Sequence, residues 1–267
     1  MTAYYEFLQR TTDDQGQVSS HYRPTLSTQG AWNDHEQHMA PASGLLAAEI
    51  ESFAPRDDMR IARISYDIFG VIHREDCVVR TRIIRPGRTI ELIESELQAR
   101  GRTCVVARAW RMLTQDSSAV AGLEDQPVPG PEQLADWTGL QRWPGGYVRS
   151  IFGRQAPNHQ PGNGIVWVSN DLELVQGQPT SDFAHLMGMV DTANGAAPRQ
   201  ADNFDWAFPN LDLQVHMYRQ PRGRWLGLQT VQQYGSDGIG LTSSILHDET
   251  GPFGRSEQIL TLRPMSP

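Results

Sequence analysis

The chain has 267 residues, 31 of them acidic and 23 basic, a formal net charge of −8 and only 2 cysteines. Its size and its mean hydropathy of −0.47 are typical of a water-soluble globular protein with one large or two small domains. An acidic chain without a basic run is a poor nucleic-acid binder, because phosphate contacts supply most of that affinity. Every basic residue is arginine, which excludes chemistry that needs a lysine, such as a Schiff base or a P-loop.

Signals for membranes, secretion and metals are weak. No apolar run approaches the roughly 18 residues that a membrane span needs, and the first ten residues lack the features of a signal peptide. We therefore expect a cytoplasmic protein without a membrane span. Cys77 and Cys104 lack metal-site spacing. His35 and His38 stand at i, i+3 without an obvious third ligand, so surface or helix-cap histidines are favoured, and we expect no metal or cofactor.

The first half of the chain has the pattern of a hairpin, a helix and an antiparallel sheet. Strand-like residues 3–11 and 18–23 flank a polar turn, which predicts a hairpin. Apolar residues recur at helical spacing over residues 41–53, and Pro55 ends this predicted helix. Strand-like runs bounded by turn residues then follow, at residues 59–72, 77–84, 88–97 and 103–113.

The second half repeats this order. Residues 116–144 lack periodicity and are rich in proline and glycine, so we predict a linker there, between domains at residues 1–115 and 145–267. A helix is predicted over residues 180–195, with Thr180 or Ser181 as its N-cap. Strand-like runs surround it, at residues 146–154, 164–174, 207–219, 224–234, 239–248 and 256–264.

The spacing of similar segments supports an internal repeat. Asp67 in ISYDIFG and Asp212 in NLDLQVH lie 145 residues apart, and Gly87 and Gly223 lie 136 apart. Two equal copies predict a fused pair of domains related by a pseudo-twofold axis. A long helix wrapped by a curved antiparallel sheet is the hotdog fold. The predicted fold class is therefore α+β, a double hotdog of two tandem domains.

Asp191 is the most informative residue of the second helix. It follows Leu186, Met187, Met189 and Val190, so the pattern predicts a carboxylate that projects from a largely apolar helix. Burying a carboxylate is costly unless it is hydrogen-bonded, so such a residue is a candidate for catalysis or for a structural bond. The residues alone leave both interpretations open.

Four segments resemble a family of bacterial acyl-CoA thioesterases, the thioesterase II type, whose members are double hotdogs. They read QHMAPASGLLAAEIE, MVDTANG, FPNLDLQVHMYRQP and GLTSSILHDETGPFGRSEQILTLRP. The resemblance covers nearly the full length, with the segments in the family's order. It implies hydrolysis of an acyl-CoA to a free acid and CoA, without a cofactor.

The resemblance also implies three residues that position and activate a water molecule. In the family these are an Asp of the central helix, a Thr or Ser at the start of the next strand and a Gln of the last strand. They match Asp191, Asn210 and Gln258, with Asn in place of Thr or Ser. Asn can still donate and accept hydrogen bonds. A helix N-terminal N–H, near residues 181–183 or 42–44, would stabilise the thioester oxyanion.

An acyl-CoA substrate implies an apolar tunnel and a cationic mouth. Met187 and Trp206 are candidates for lining the tunnel, together with Phe183, Met189 and Trp167, and ordinary core packing is the alternative. For the CoA phosphates, the candidates are Arg219, Arg222 and Arg224, whose alternative is simple solvation.

Other hypotheses stay open at this point. The first half offers a rival pair, Glu49 on its helix and Ser65 at the 145-residue spacing from Asn210, although one copy of a fused pair usually keeps the site. A non-catalytic acyl-CoA or acyl-carrier binding protein is the alternative function, and a hydratase is disfavoured because its Asp/His segment is not visible. Hotdog proteins often associate through their sheets, so a homodimer is a further expectation.

Overall fold

The computed structural model describes residues 2–31, 33–200 and 205–265. Its first half confirms the predicted hairpin, which consists of β1 (Ala3–Thr12) and β2 (Val18–Pro24). Helix α1 (Met39–Ser52) follows, with all but three of its residues buried. The remaining strands of this half are β3 (Met59–Ile68), β4 (Cys77–Arg85), β5 (Ile90–Ala99) and β6 (Arg102–Leu113).

The second half has the same order of elements. Its strands before the central helix are β7 (Ala135–Trp137), β8 (Phe152–Gln155), β9 (Asn163–Ser169) and β10 (Glu173–Val175). Its helices are α2 (Gly146–Ser150), α3 (Asp182–Val190) and α4 (Ala193–Ala196). The later strands are β11 (Trp206–Ala207), β12 (Asp212–Met217), β13 (Leu226–Tyr234), β14 (Ile239–Asp248), β15 (Gly251–Thr261) and β16 (Arg263–Pro264).

One sheet of 14 strands joins the two halves, in the order β10-β1-β2-β4-β5-β6-β3-β12-β15-β14-β13-β9-β8-β7. β3 pairs with β12 at its centre, where Asp67 faces Asp212. On either side of this junction, the strands follow in an equivalent order. The sheet curves around α1 and α3, so the architecture is the predicted double hotdog.

The two central helices cross at glycines. A Cβ on Gly44 would lie 2.8 Å from the Gly188 Cα, so only glycine allows this approach. Next to the crossing, the Ser43 hydroxyl donates a hydrogen bond to the Met187 carbonyl at 2.8 Å. The helices run antiparallel, because the residue before α1, His38, lies beside the residue after α3, Asp191.

Two sequence-based expectations need correction. The predicted helix over residues 180–195 stops at Val190, because the Thr192 N–H bonds to the Met189 carbonyl three residues back. Asp191 is therefore a C-cap rather than a mid-helix residue. Residues 146–150, predicted as part of a strand, form α2 because Tyr147 and Val148 pack into the core, and this packing overrides their β-propensity.

Residues 116–144 lie between the halves and contain more structure than a linker pattern suggests. They include β7, which pairs with β8, and a 3₁₀ turn, Gly139–Arg142, that buries Leu140. Within the described ranges, no helix is long and apolar enough to cross a membrane.

Candidate active site

Asp191 is the centre of the site. Its side chain is 6% exposed, and its Oδ1 atom accepts hydrogen bonds from Asn210 Nδ2 at 2.9 Å and from Gln258 Nε2 at 3.0 Å. The C-cap of α3 positions Asp191, the chain entering β12 positions Asn210, and the middle of β15 positions Gln258. The structure thus brings together the three residues that the family resemblance singles out.

Burial raises the pKa of Asp191 above its ordinary value, although His38, Asn210 and Gln258 act in the opposite direction. The two amide groups each donate to the carboxylate, which favours its charged form, but desolvation outweighs them. A carboxyl group with a raised pKa is a stronger base than an exposed one once it is ionised.

His38 is the site residue whose role the sequence did not reveal. It is the N-cap of α1, where its Nδ1 atom accepts a hydrogen bond from the Ala40 N–H at 3.1 Å. The same Nδ1 atom lies 3.3 Å from Asp191 Oδ2. The expected cap role is therefore confirmed, but the contact with Asp191 could not be read from two residues 153 positions apart (191 minus 38).

His38 and Asp191 are electrostatically coupled. The Nδ1 lone pair of His38 accepts the Ala40 N–H, and the Asp191 Oδ2 atom lies beside Nδ1 at 3.3 Å. Burial lowers the pKa of His38, although Asp191 and Glu36 act to raise it. Burial favours the neutral form of each partner, whereas their mutual attraction favours the charged forms, so the two groups titrate as a pair.

The Gln258 side chain has one atom without a partner. Its Nε2 atom donates to Asp191, while its Oε1 atom is buried and has no hydrogen-bond partner among the residues that the structure describes. A buried amide oxygen without a donor is unfavourable by roughly 1–3 kcal/mol. This oxygen therefore marks a place where a small donor molecule would be stabilised next to Asp191.

Two cavities meet at Asp191. The groove, as we call the first, is open, has a volume of about 360 Å³ and carries exposed apolar residues at its rim. These are Phe69, Val71 and Leu211, with Arg263 nearby in the lining. The second cavity, which we call the chamber, is smaller and measures about 70 Å³. His38, Asp191 and Asn210 line both.

The arginines predicted for CoA lie elsewhere. Arg219 forms a bidentate pair with the buried carboxylate of Asp248 and also donates to backbone carbonyls. Arg222 and Arg224 flank Gly223, whose N–H donates to Asp182 at the first turn of α3. Asp191 ends that nine-residue helix, about 13 Å away at 1.5 Å per residue.

The two predicted tunnel residues also lie outside both cavities. Met187 is fully buried in the crossing of α1 and α3, which is the ordinary core alternative. Trp206 is 45% exposed and sits in the short pair of β11 with β16. The other tunnel candidates, Phe183, Met189 and Trp167, are equally buried in the core.

The first half has no equivalent set of polar residues. The equivalent strands β5 and β14 begin 149 residues apart (239 minus 90), whereas the spacing expected from the sequence is 145. With a spacing of 149 residues, Asn210 corresponds to Ile61, and Gln258 corresponds to Ala109. The bridges Ile61–Arg111 and Asn210–Leu260 match under the same spacing. Ser65 instead pairs with Gln214 across the β3–β12 junction.

The rival carboxylate has a structural role. Glu49 accepts hydrogen bonds from Tyr22, Ser20 and Arg10, which satisfies its charge within the first half. In the described part of the chain, no group of three or more His, Cys, Asp or Glu side chains is arranged to hold a metal ion. His35, the other histidine of the i, i+3 pair, stacks on His73 with 6.2 Å between ring centroids.

Comparisons with known proteins agree with this architecture. The model of the acyl-CoA thioesterase N-terminal domain matches residues 28–112, and that of the acyl-CoA thioesterase C-terminal domain matches residues 122–262. A comparison with curated protein sequences gives no match. The structure defines a double-hotdog protein with a buried carboxylate between two cavities. The chain belongs to the acyl-CoA thioesterase family and is a thioester hydrolase.

Solved structures share the fold over nearly the whole chain. A conserved hot dog protein of unknown function from Alicyclobacillus acidocaldarius aligns with a TM-score of 0.72 and 12% identity, covering 97% of this chain and 96% of its own. Acyl-CoA thioesterase II TesB2 from Mycobacterium marinum aligns with a TM-score of 0.67 and 15% identity, covering 97% and 96%. The dehydratase domain of PpsC from Mycobacterium tuberculosis, solved in complex with C12:1-CoA, aligns with a TM-score of 0.54 and 17% identity, covering 98% and 100%.

Proposed function

We propose that this protein hydrolyses acyl-CoA thioesters through a water molecule activated by Asp191. The observation that carries the proposal is the geometry at Gln258. Its amide N–H holds Asp191, and its buried carbonyl oxygen has no partner among the described residues. A water molecule between the two would donate one proton to Asp191 and the other to Gln258 Oε1. It would then have a lone pair free for attack.

The reaction then follows without a covalent intermediate. The water oxygen attacks the thioester carbonyl carbon while Asp191 accepts its proton. When the tetrahedral intermediate collapses, the carbon–sulfur bond breaks, and the proton held by Asp191 passes to the departing CoA thiolate. The products are a free acid and CoA, and the carboxylate is regenerated. Asn210, which donates to Asp191 Oδ1, keeps the carboxylate in one orientation.

The oxyanion donor that we propose is the Met39 N–H at the first position of α1. This N–H has no acceptor within its own helix and lies at the positive end of the helix dipole. The next N–H, that of Ala40, already bonds to His38, and Pro41 has none. Met39 also lines the groove beside Asp191. Of the two regions predicted from sequence, the start of α1 is the relevant one, three residues earlier than expected.

The groove is the side that suits CoA. CoA is too large for the chamber of about 70 Å³, and its phosphates need to stay in contact with water. The exposed apolar rim, formed by Phe69, Val71 and Leu211, suits the pantetheine arm, and Arg263 supplies a positive charge for a phosphate. Arg263 therefore replaces the arginines of the β12–β13 connection as our candidate for CoA recognition.

Free-thiol release from a panel of acyl-CoAs tests the proposal. The wild-type protein should release CoA, and the Asp191→Asn variant should lose at least about a hundredfold in kcat/KM, as expected for a general base. Glu49→Gln is the matched control, because it changes the buried carboxylate of the first half. If the wild type binds acyl-CoA but releases no thiol, the proposal fails and the alternative of a binding protein replaces it.

A further inference from the structure

The chamber is small for an acyl pocket. Its volume is about 70 Å³, and its walls combine the polar groups around Asp191 with the apolar side chains of Leu140, Trp143, Tyr147 and Phe208. A protein cavity of roughly 150 Å³ holds one benzene molecule, which has six carbon atoms. The chamber is about half that size, so it offers room for about three carbon atoms.

The position of the thioester carbonyl determines the direction in which the acyl group extends. In the proposed reaction, the thioester carbonyl lies at Asp191, between the groove and the chamber. CoA occupies the groove, because the groove measures about 360 Å³ and the chamber only about 70 Å³. The acyl chain extends from the carbonyl in the opposite direction and so enters the chamber.

Side-chain and backbone contacts fix the positions of the residues that form the chamber walls. Trp143 meets Phe208 edge to face, with ring centroids 5.9 Å apart, and the Phe208 carbonyl accepts a hydrogen bond from Asn194 Nδ2 at 2.9 Å. The chain after Trp143 packs closely against the first half, because a Cβ on Gly146 would lie 1.9 Å from the Leu26 carbonyl oxygen. Because of this close backbone contact, the segment cannot readily move aside for a longer acyl chain.

We infer that the chamber restricts this enzyme to short acyl groups, of about two to four carbon atoms, and that Trp143 sets the limit. The inference rests on the proposed function, because it assigns the acyl group to the chamber at Asp191. Trp143 is itself partly exposed, whereas Phe208 and Leu140 are buried. Removing its indole therefore enlarges the chamber on its exposed side and gives a longer chain an exit.

The first experiment measures kcat/KM for acetyl-, butyryl-, octanoyl- and palmitoyl-CoA. A single surplus methylene in a filled pocket costs about tenfold or more, so octanoyl-CoA should fall at least about a hundredfold below butyryl-CoA. Trp143→Ala should raise the octanoyl-to-butyryl ratio at least about tenfold. Trp137→Ala is the matched control, because Trp137 belongs to the same segment but lies outside the chamber lining.

A filling variant tests the same wall from the other direction. Gly195 lines the chamber, and a Cβ there would lie 3.2 Å from Leu140 Cδ2. Gly195→Ala should therefore lower the activity with butyryl-CoA relative to acetyl-CoA. The inference is wrong if wild-type protein hydrolyses palmitoyl-CoA as well as butyryl-CoA, or if Trp143→Ala and Trp137→Ala have the same chain-length profile.

Binding separates this inference from the proposed hydrolysis. S-ethyl-, S-butyl- and S-octyl-CoA are thioethers that cannot be hydrolysed, and calorimetry gives their affinities. S-butyl-CoA should bind at least about tenfold more tightly than S-octyl-CoA, and Trp143→Ala should remove this difference. Such a result in a protein without hydrolytic activity would retain the size selection and reject the hydrolysis. Equal affinities for wild-type protein would reject the size selection whatever the activity.

Discussion

His38 Nδ1 lies 3.3 Å from Asp191 Oδ2, and this contact joins the start of one central helix to the end of the other. The active site that we propose is therefore composite. The first half supplies the N-cap of α1, and the second half supplies the carboxylate and its two amide partners. The antiparallel crossing of the helices makes the contact, and the glycines at the crossing allow it.

Asp191→Asn should stabilise the protein while it abolishes activity. The Asn Oδ1 atom can still accept from Asn210 and Gln258, and its Nδ2 can donate to His38. Burial raises the pKa of Asp191, so the wild-type protein loses stability as the pH rises from the unfolded pKa to the folded one. The Asp191→Asn variant has no carboxyl group at this position, so it does not lose stability in that pH range. Its gain in Tm should be larger at pH 8 than at pH 4, and a Tm below wild type at both values would contradict this account.

Asn210 should be replaceable by Thr but not by Leu. Its Nδ2 atom donates to Asp191 Oδ1 and to the Asp212 carbonyl. A Thr hydroxyl can keep the first of these bonds and loses the second, which costs about 1 kcal/mol, or about tenfold at most in kcat/KM. Leu removes both donors and should cost about a hundredfold. Equal activities of the Thr and Leu variants would show that Asn210 does not orient the carboxylate.

His38→Asn should separate the helix cap from the electrostatic effect of His38 on Asp191. Asn is a good N-cap, whereas Ala loses about 1 kcal/mol of cap stabilisation. His38→Asn should therefore keep the Tm within about 1 °C, and His38→Ala should lower it by about 2–4 °C. The charge of His38 acts to lower the pKa of Asp191. In the His38→Asn variant, the acid limb of the pH profile of kcat/KM should therefore move to higher pH. An unchanged acid limb would contradict the coupling between His38 and Asp191.

In the wild-type protein, the acid limb of the pH profile of kcat/KM should lie at a pH above the ordinary pKa of an aspartate. The ordinary pKa of an aspartate side chain is 3.8, and burial raises the pKa of Asp191 above it. Since only the ionised carboxylate can accept the proton of water, kcat/KM should increase with pH through this raised pKa. The pH–rate profile with one short acyl-CoA measures it. A limb at or below the ordinary value would exclude Asp191 as the base.

The glycines of the helix crossing should respond unequally to alanine. A Cβ on Gly44 would lie 2.8 Å from the Gly188 Cα, while a Cβ on Gly188 would lie 3.6 Å from the Gly44 Cα. Gly44→Ala should cost about 1–3 kcal/mol, because the backbone of α3 must move away. Gly188→Ala fits and should be neutral or gain up to about 1 kcal/mol of helix propensity. Denaturant unfolding compares them, and equal losses would contradict the asymmetric crossing.

The sequence determined the elements of this protein well because their signals are local. Strand-like runs bounded by turn residues predicted β3 to β6 and β12 to β15, and helical spacing predicted α1. Asp191 could be singled out because a carboxylate next to apolar residues is unusual. The resemblance to a family then added Asn210 and Gln258, whose catalytic roles remain predictions.

Only the tertiary structure decided how distant residues combine. Local patterns carry no information on which helix ends meet, so the contact of His38 with Asp191 and the chamber wall at Trp143 were not predictable. Arg219 was a reasonable candidate for phosphate binding, but the buried carboxylate of Asp248 occupies its guanidinium group. The helix crossing, the continuous sheet and the docked segment before α2 create the site, because each brings together residues that are far apart in the chain.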